Sequence, residues 1–113
     1  MYLVYVLKSG KYSYVGMTND FFHRWRQHTQ EVKGGARYTS RHTSEMWYPI
    51  LIIDGFETMK EAMQCEWKLK RKKGYLARII WAHTLLTRHD RWTSKSPLIK
   101  DQSLHVYLSP NYQ

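Results

Sequence analysis

The sequence predicts an α+β domain: a small three-stranded mixed or antiparallel sheet flanked by helices, in the order β-β-α-β-α-α, with a short C-terminal tail. Three observations lead there. Residues 2–7 and 12–17 are β-branched and aromatic runs separated by a Ser-Gly turn signal. Residues 46–53 (MWYPILII) form one apolar, β-branched run bounded by polar stretches. The remaining apolar residues recur at helical spacing between clear starts and stops. The chain has 113 residues, enough for a single core. Residues 1–88 are expected to form the domain, and 89–113 an extension packed on it.

The first two runs read as a hairpin. With Ser9-Gly10 as a two-residue loop, Tyr5 falls opposite Tyr14, so both phenols project from one face. A longer loop would shift the register. Thr18, Asn19 and Asp20 are candidate caps for a helix beginning near Phe21. On it Phe21, Trp25, His28 and Val32 make one stripe, Arg24 sits beside His28 at the stripe's edge, and Lys33-Gly34-Gly35 ends the helix. Residues 34–45 read as a loop carrying Arg37, Tyr38 and Arg41. In the third strand Pro49 restricts the first half to an edge or a bulge. Thr58 and Glu61 form a capping box that opens a helix running to about Lys73, where Gly74 stops it. A third helix, 75–86, is expected to bury Leu76, Ile79, Ile80, His83 and Leu86 on one face. Residues 87–97 are loop-like, and 104–108 (LHVYL) can fold back as a last short strand.

Composition narrows the function. Eighteen Lys and Arg stand against nine Asp and Glu, a formal charge of +9. The run KLKRKK places Lys68, Lys70, Arg71, Lys72 and Lys73 together. Five Trp and nine Tyr accompany this charge. Aromatics interleaved with cations suit stacking on bases beside phosphates, so nucleic acid is the expected partner. Arg37, Tyr38, Arg41 and the basic run are the candidate backbone contacts, which position nucleic acid without reading its sequence. Cys65 is the single cysteine, so no internal disulfide is expected. This fits a reducing, intracellular setting and leaves nucleus and cytoplasm undistinguished. With no Cys-x-x-Cys, a zinc cluster is not expected. No apolar run approaches a membrane span of about 18 residues, and no membrane association is expected.

Glu66 is the most informative single residue. The helix from Thr58 carries Met59, Ala62, Met63 and Leu69, with Trp67 at the flank, and Glu66 falls within that stripe. A carboxylate on an apolar face needs a partner, a proton or a metal. Pairing with a buried arginine such as Arg24 is one structural alternative, and a surface position for Glu66 is the other.

In combination, Tyr5 in VYV, Tyr14 in YVG, the segment TNDFFHRWRQH and Glu66 in QCEWKLK resemble the GIY-YIG nuclease domain. Leu3-Val4-Tyr5 stands for the first motif, without its glycine, and Tyr14-Val15-Gly16 for the second. Arg24, His28 and Glu66 match the arginine, histidine and metal-binding glutamate of that family. The pattern is most similar to the branch formed by the catalytic subunit of the Slx-type structure-specific endonucleases. Gly34-Gly35-Ala36, Asp54-Gly55-Phe56, Glu66-Trp67 and Ser96-Pro97-Leu98 extend that likeness along most of the chain. The RING domain of that branch is expected to be absent, since one cysteine cannot build it. A protein scaffold or a second copy of the chain would therefore bind by other means.

The resemblance implies a structure-selective DNA endonuclease acting on flaps, forks and junctions, in repair or recombination. A Mg²⁺ or Mn²⁺ ion would be held by Glu66, phosphate oxygens and water. Arg24 would stabilise the phosphate, and Tyr5, Tyr14 and His28 would order the attacking water, with Tyr5 favoured over Tyr14 as the base and His28 as the alternative. Gly16 at the strand end would let backbone or phosphate approach. Two rival readings stand beside this one: a non-catalytic nucleic-acid-binding module with the same fold, and an RNA-directed nuclease.

Overall fold

Alternation of β-branched and aromatic residues builds an antiparallel hairpin from β1 (Tyr2–Ser9) and β2 (Tyr12–Thr18). The computed structural model describes residues 1–21, 23, 24, 47–88 and 90–110. The strand β3 (Tyr48–Phe56) pairs with the other side of β1, and β4 (His105–Leu108) pairs with β3. The sheet is antiparallel throughout, in the order β2-β1-β3-β4. The expected class therefore holds, with four strands where three were expected. The fourth is the short segment that folds back near the end of the chain.

The hairpin loop differs from the expectation. Ser9 pairs with Tyr12, so Gly10 and Lys11 form the turn. Tyr5 then lies opposite Gly16, and Tyr14 opposite Leu7. Because the slip is two residues, side-chain parity is preserved and both phenols still project from one face. Pro49 sits where the β1–β3 register shifts between Val6 and Leu7, at a site that does not need its missing N–H. A second shift lies between Tyr2 and Leu3, opposite Gly55. Gly55 has φ +108°, a conformation that a side chain would strain.

Being central, β1 is covered on both faces. Val4 and Val6, with Val15, Ile50, Leu51 and Ile53, face the main core. Against it pack α1 (Met59–Lys70) and α2 (Tyr75–Arg88). Thr58 caps α1 by accepting a hydrogen bond from the Glu61 N–H at 3.1 Å, as the capping box predicts. The helix ends at Lys70 with Arg71 as its C-cap, short of the expected Lys73.

Two helix faces need correction. On α1 the buried positions are Ala62, Cys65 and Leu69, while Met59, Met63 and Trp67 are about half exposed. On α2 the buried positions are Ile79, Ala82 and Leu85, while Leu76, Ile80 and His83 point outward. In both helices the face toward the sheet includes small residues. Ala62, Cys65 and Ala82 let the helix backbones approach closely, while Met59, Met63, Trp67, Leu76 and Ile80 lie outside the contact. Trp92 is fully buried against Phe56, at 6.4 Å between ring centroids, and Ile99 joins the same core. The tail is thereby anchored to the body of the sheet.

The opposite face of β1 carries a smaller cluster: Tyr5, Leu7 and Trp47 are buried, with Tyr14 and Phe21 packed against them. This aromatic face holds the site described next.

Candidate active site

Local sequence places Arg24 over the hairpin. The Thr18 hydroxyl accepts from the Asp20 N–H at 3.0 Å, and Asp20 accepts from the His23 N–H through its carboxylate (3.1 Å). The Asp20 carbonyl accepts from the Arg24 N–H at 3.2 Å. Of the three candidate caps, Asp20 starts the helical turn. Phe21 packs edge-on to Tyr5 at 5.3 Å and fixes the direction of that turn. Arg24, one turn on, reaches back to the strands. Its Nε donates to the Tyr5 hydroxyl at 3.3 Å, and its second terminal nitrogen donates to the Tyr14 hydroxyl at 3.4 Å. One guanidinium thus bridges two phenols whose rings lie 6.3 Å apart.

The phenols are not equivalent. Tyr5 is fully buried, whereas Tyr14 is partly exposed. Burial pushes the Tyr5 hydroxyl well above the ordinary tyrosine value of about 10. The Arg24 hydrogen bond opposes this, Tyr14 adds to it, the Arg24 charge opposes it, and the Glu66 carboxylate adds to it. For Arg24, burial works against the charged form, but its bonds to Tyr5 and Tyr14 outweigh burial and the net direction is upward. The guanidinium is therefore a fixed cation and Tyr5 a neutral donor–acceptor near neutrality. A phenol with a raised folded pKa contributes stability below its unfolded value, and loses it as pH rises toward the folded value. In an alkaline titration followed by tyrosinate absorbance, Tyr5 is expected to ionise late. Tyr5→Phe should remove one group from the end of that curve and leave its start unchanged.

Gly16 has a role different from the expected one. A Cβ there would lie 2.5 Å from Cζ of Tyr5 and 2.9 Å from Cε1 of Tyr14. The missing side chain makes room for the phenols themselves, directly opposite Tyr5 in the ladder.

Glu66 stands on α1, and its charge is felt at the Tyr5 hydroxyl. It lies at the boundary between the buried stripe and the open face of the helix, its side chain 21% exposed, not in the centre of a core. Among the described residues it forms one ion pair, with Lys70 at 3.7 Å, and the expected alternative of pairing with Arg24 gives way to that contact. Lys70 in turn lines an open hollow of about 340 Å³ with Tyr14, Ser13, Val15 and Arg78. The C-terminal half of α1 and the outer edge of β2 therefore share one surface. Cys65, beside Glu66, is fully buried, and burial pushes its thiol well up, with the Glu66 charge adding to the effect. It is an inert core residue.

The donor set suits a divalent cation of the magnesium type. One accessible carboxylate beside open space leaves coordination positions to water and phosphate, which is how Mg²⁺ commonly binds. Among the described residues no group of three His, Cys, Asp or Glu side chains forms a closed protein cage.

The structure thus brings together Tyr5, Tyr14 and Arg24, and sets Glu66 on the neighbouring helix within electrostatic reach of Tyr5. His28, Arg37, Tyr38 and Arg41 lie outside the described residues. Within the basic run, Lys68 and Lys72 lie over the Trp81 ring at 5.4 and 4.7 Å, Arg71 over Trp67 at 4.7 Å, and Lys73 is exposed. Arg78 escaped the sequence reading. It donates to Ser13 Oγ at 2.6 Å and to the Lys72 carbonyl at 2.8 Å, tying the end of α1 to β2 below Tyr14. A lone arginine on an amphipathic helix carries no local signal of a partner 65 positions away.

Comparison with known proteins identifies the family of the domain. The sequence profile of the GIY-YIG catalytic domain matches residues 1–77. Structure-specific endonuclease subunit slx1 of Talaromyces stipitatus is 35% identical over 91 residues, covering 78% of this chain and 20% of the relative. The protein of the same name in Schizosaccharomyces japonicus is 37% identical over 109 residues, covering 91% of this chain and 35% of the relative. The Structure-specific endonuclease subunit SLX1 homolog of Giardia intestinalis is 40% identical over 60 residues, covering 53% and 16%. The chain therefore spans about a third or less of the length of these relatives.

Proposed function

The chain belongs to the GIY-YIG catalytic domain family, and from that premise we propose that it is a metal-dependent, structure-selective DNA endonuclease hydrolysing phosphodiester bonds at flaps, forks or junctions in repair or recombination. The observation that carries the reading is the bridging of two phenols by one partly buried guanidinium, Nε to Tyr5 and the second terminal nitrogen to Tyr14. A bound Mg²⁺ or Mn²⁺ would neutralise phosphate charge and favour hydroxide over water. Glu66 would hold it, with phosphate oxygens and water completing the coordination.

The remaining work falls to the protein's own side chains. Arg24 presents a charged, pre-oriented fork where a phosphate's negative charge develops. Tyr5, buried and neutral, orients that fork and keeps it from folding away. Tyr14, partly exposed and bonded to the same arginine, is placed to order the attacking water, so burial moves the base assignment from Tyr5 to Tyr14. His28 remains the alternative base, since imidazole as a group titrates nearer neutrality than a phenol. Lys68, Lys70, Arg71, Lys72 and Lys73, with Arg37, Tyr38 and Arg41, would contact the DNA backbone, making affinity salt-dependent and indifferent to sequence. The relatives are named as subunits, so a protein scaffold belongs to the proposal, in an intracellular setting.

The test compares a flapped duplex with a blunt linear duplex of equal length, in Mg²⁺ and in Mn²⁺. The flap should be cut at least about tenfold faster, roughly the effect of one lost or gained contact of 1.4 kcal/mol in the transition state. Equal rates on both substrates would remove structure selectivity. Binding without cleavage would favour a non-catalytic module, and preference for an RNA arm an RNA-directed nuclease.

A further inference from the structure

The outward face of α1 is unusual for a helix that packs on a sheet. Met59, Met63 and Trp67, spaced four apart, are 52%, 50% and 51% exposed. They border an open hollow of about 480 Å³ that also reaches Glu66, Lys60 and Lys70. On its other side Trp67 borders a second hollow of about 360 Å³, with Lys68, Lys95, Thr93 and Ser94. The indole is therefore a ridge between two basic depressions, one of which contains the carboxylate of the candidate active site. Arg71 lies against the ring at 4.7 Å, and half of the side chain remains open. Trp81 makes the contrast: Lys68 and Lys72 both cover it, and it packs against the main core.

An exposed apolar stripe next to one carboxylate and ringed by cations does not suit an acidic or apolar protein helix equally well. Glu66 is the one acidic residue among the described residues lining these two hollows, against four lysines. The charge favours a polyanion, and the flat indole and two thioethers favour a planar apolar group. A single-stranded nucleic acid carries both, with phosphates for the lysines and a base for the ring. Within a duplex each base is covered by its stacked neighbours, so away from the terminal pair the ring has no base face to reach.

Resting on the nuclease reading above, we infer that Trp67, backed by Arg71 and flanked by Met63, is a stacking platform for an unpaired base of the branch, seated next to Glu66. The base lies on the open part of the indole, the strand's phosphates run between the Lys60–Lys70 side and the Lys68–Lys95 side, and the scissile phosphate is thereby brought to the carboxylate. Selectivity for a branch then follows from geometry, because the paired bases inside a duplex present no open face to the indole.

Binding in EDTA, where no cleavage occurs, isolates this from catalysis. The probes are a duplex with a single-stranded arm, the same duplex with abasic sites in the arm, and a blunt duplex, each followed by fluorescence anisotropy. Trp67→Ala should weaken the armed duplex about thirtyfold, the middle of the range for losing one base–aromatic stack, and leave the blunt duplex unchanged within about twofold. Trp67→Phe should retain most of the affinity. Wild-type protein should bind the abasic arm as weakly as Trp67→Ala binds the intact arm, with no further loss when the two changes are combined. Equal losses on armed and blunt duplex, additive losses, or an abasic arm bound as tightly as an intact one would overturn the inference. The last comparison needs no variant. Flap cleavage in Mg²⁺ with no effect of Trp67 would reject the platform and leave the nuclease standing. An intact platform without cleavage would reject the nuclease.

Discussion

Glu66→Gln is expected to lower the rate of flap cleavage by about 10²–10³-fold or more, the range for removing one preorganised charged group from a hydrolytic site. Glutamine keeps the shape of the side chain and removes the charge needed to hold a hard cation. The fold should tolerate it. The only ion pair lost among the described residues is the 3.7 Å contact to Lys70, whose side chain is 51% exposed, and such pairs contribute about 0–1 kcal/mol. Binding of flapped DNA should be equal or tighter, because a negative charge leaves a basic surface. Single-turnover cleavage with excess enzyme, beside anisotropy in EDTA and a thermal melt, separates these readouts. Near wild-type cleavage by Glu66→Gln would contradict the assigned role, and a parallel loss of binding would point to misfolding.

The second large effect is expected from Gly16→Ala, a change of one methyl group. The added carbon meets the Tyr5 ring at 2.5 Å and the Tyr14 ring at 2.9 Å, both below ordinary contact. Tyr5 cannot swing aside cheaply, since it is fully buried with Phe21 at 5.3 Å and Arg24 bonded to its hydroxyl. Overpacking of this kind costs about 1–3 kcal/mol. Part of that strain must move the phenols relative to Arg24. Misplacement by about 1 Å near a reacting centre costs on the order of 10²-fold in rate, so activity should fall further than the melting temperature alone suggests. Comparing kcat well below the melting temperature with denaturant-derived stability checks this. An alanine variant with unchanged stability and rate would show that the phenols repack freely.

The hairpin illustrates how much was legible. The turn was placed one residue early, yet the conclusion that Tyr5 and Tyr14 share a face survives. A shift in the pairing by two residues leaves side-chain parity intact, whereas a shift by one would have reversed it. What the local reading missed was the partner of Tyr5. Local sequence assigns Gly16 to a close approach of backbone or phosphate, and only the ladder sets it opposite the phenol. The helix caps were readable because they depend on residues within one turn of each other, Asp20 with His23 and Thr58 with Glu61.

Helix faces were the weakest point for the opposite reason. On α1, two stripes compete: Ala62, Cys65 and Leu69 on one side, and Met59, Met63 and Trp67 on the other. Both stripes are apolar, so the sequence alone does not choose between them; the sheet takes the first, which packs with Val4, Val6 and Val15 in the main core. That choice moves Glu66 from a core position to the boundary of an open groove. Arg78 and Ser13 show the same limit at longer range.

The chain's own residues determined the elements, their starts, the basic charge and the chemical inventory of two phenols, a guanidinium and a carboxylate, since these follow from composition and from spacing of 2 or 3.6 residues within one segment. The packing of α1 and α2 on the sheet decided which phenol is buried, which aromatic is left open beside Glu66 and what Gly16 makes room for. Those are distances between residues far apart in the chain, and only the balance of side-chain volumes across a packed interface sets them.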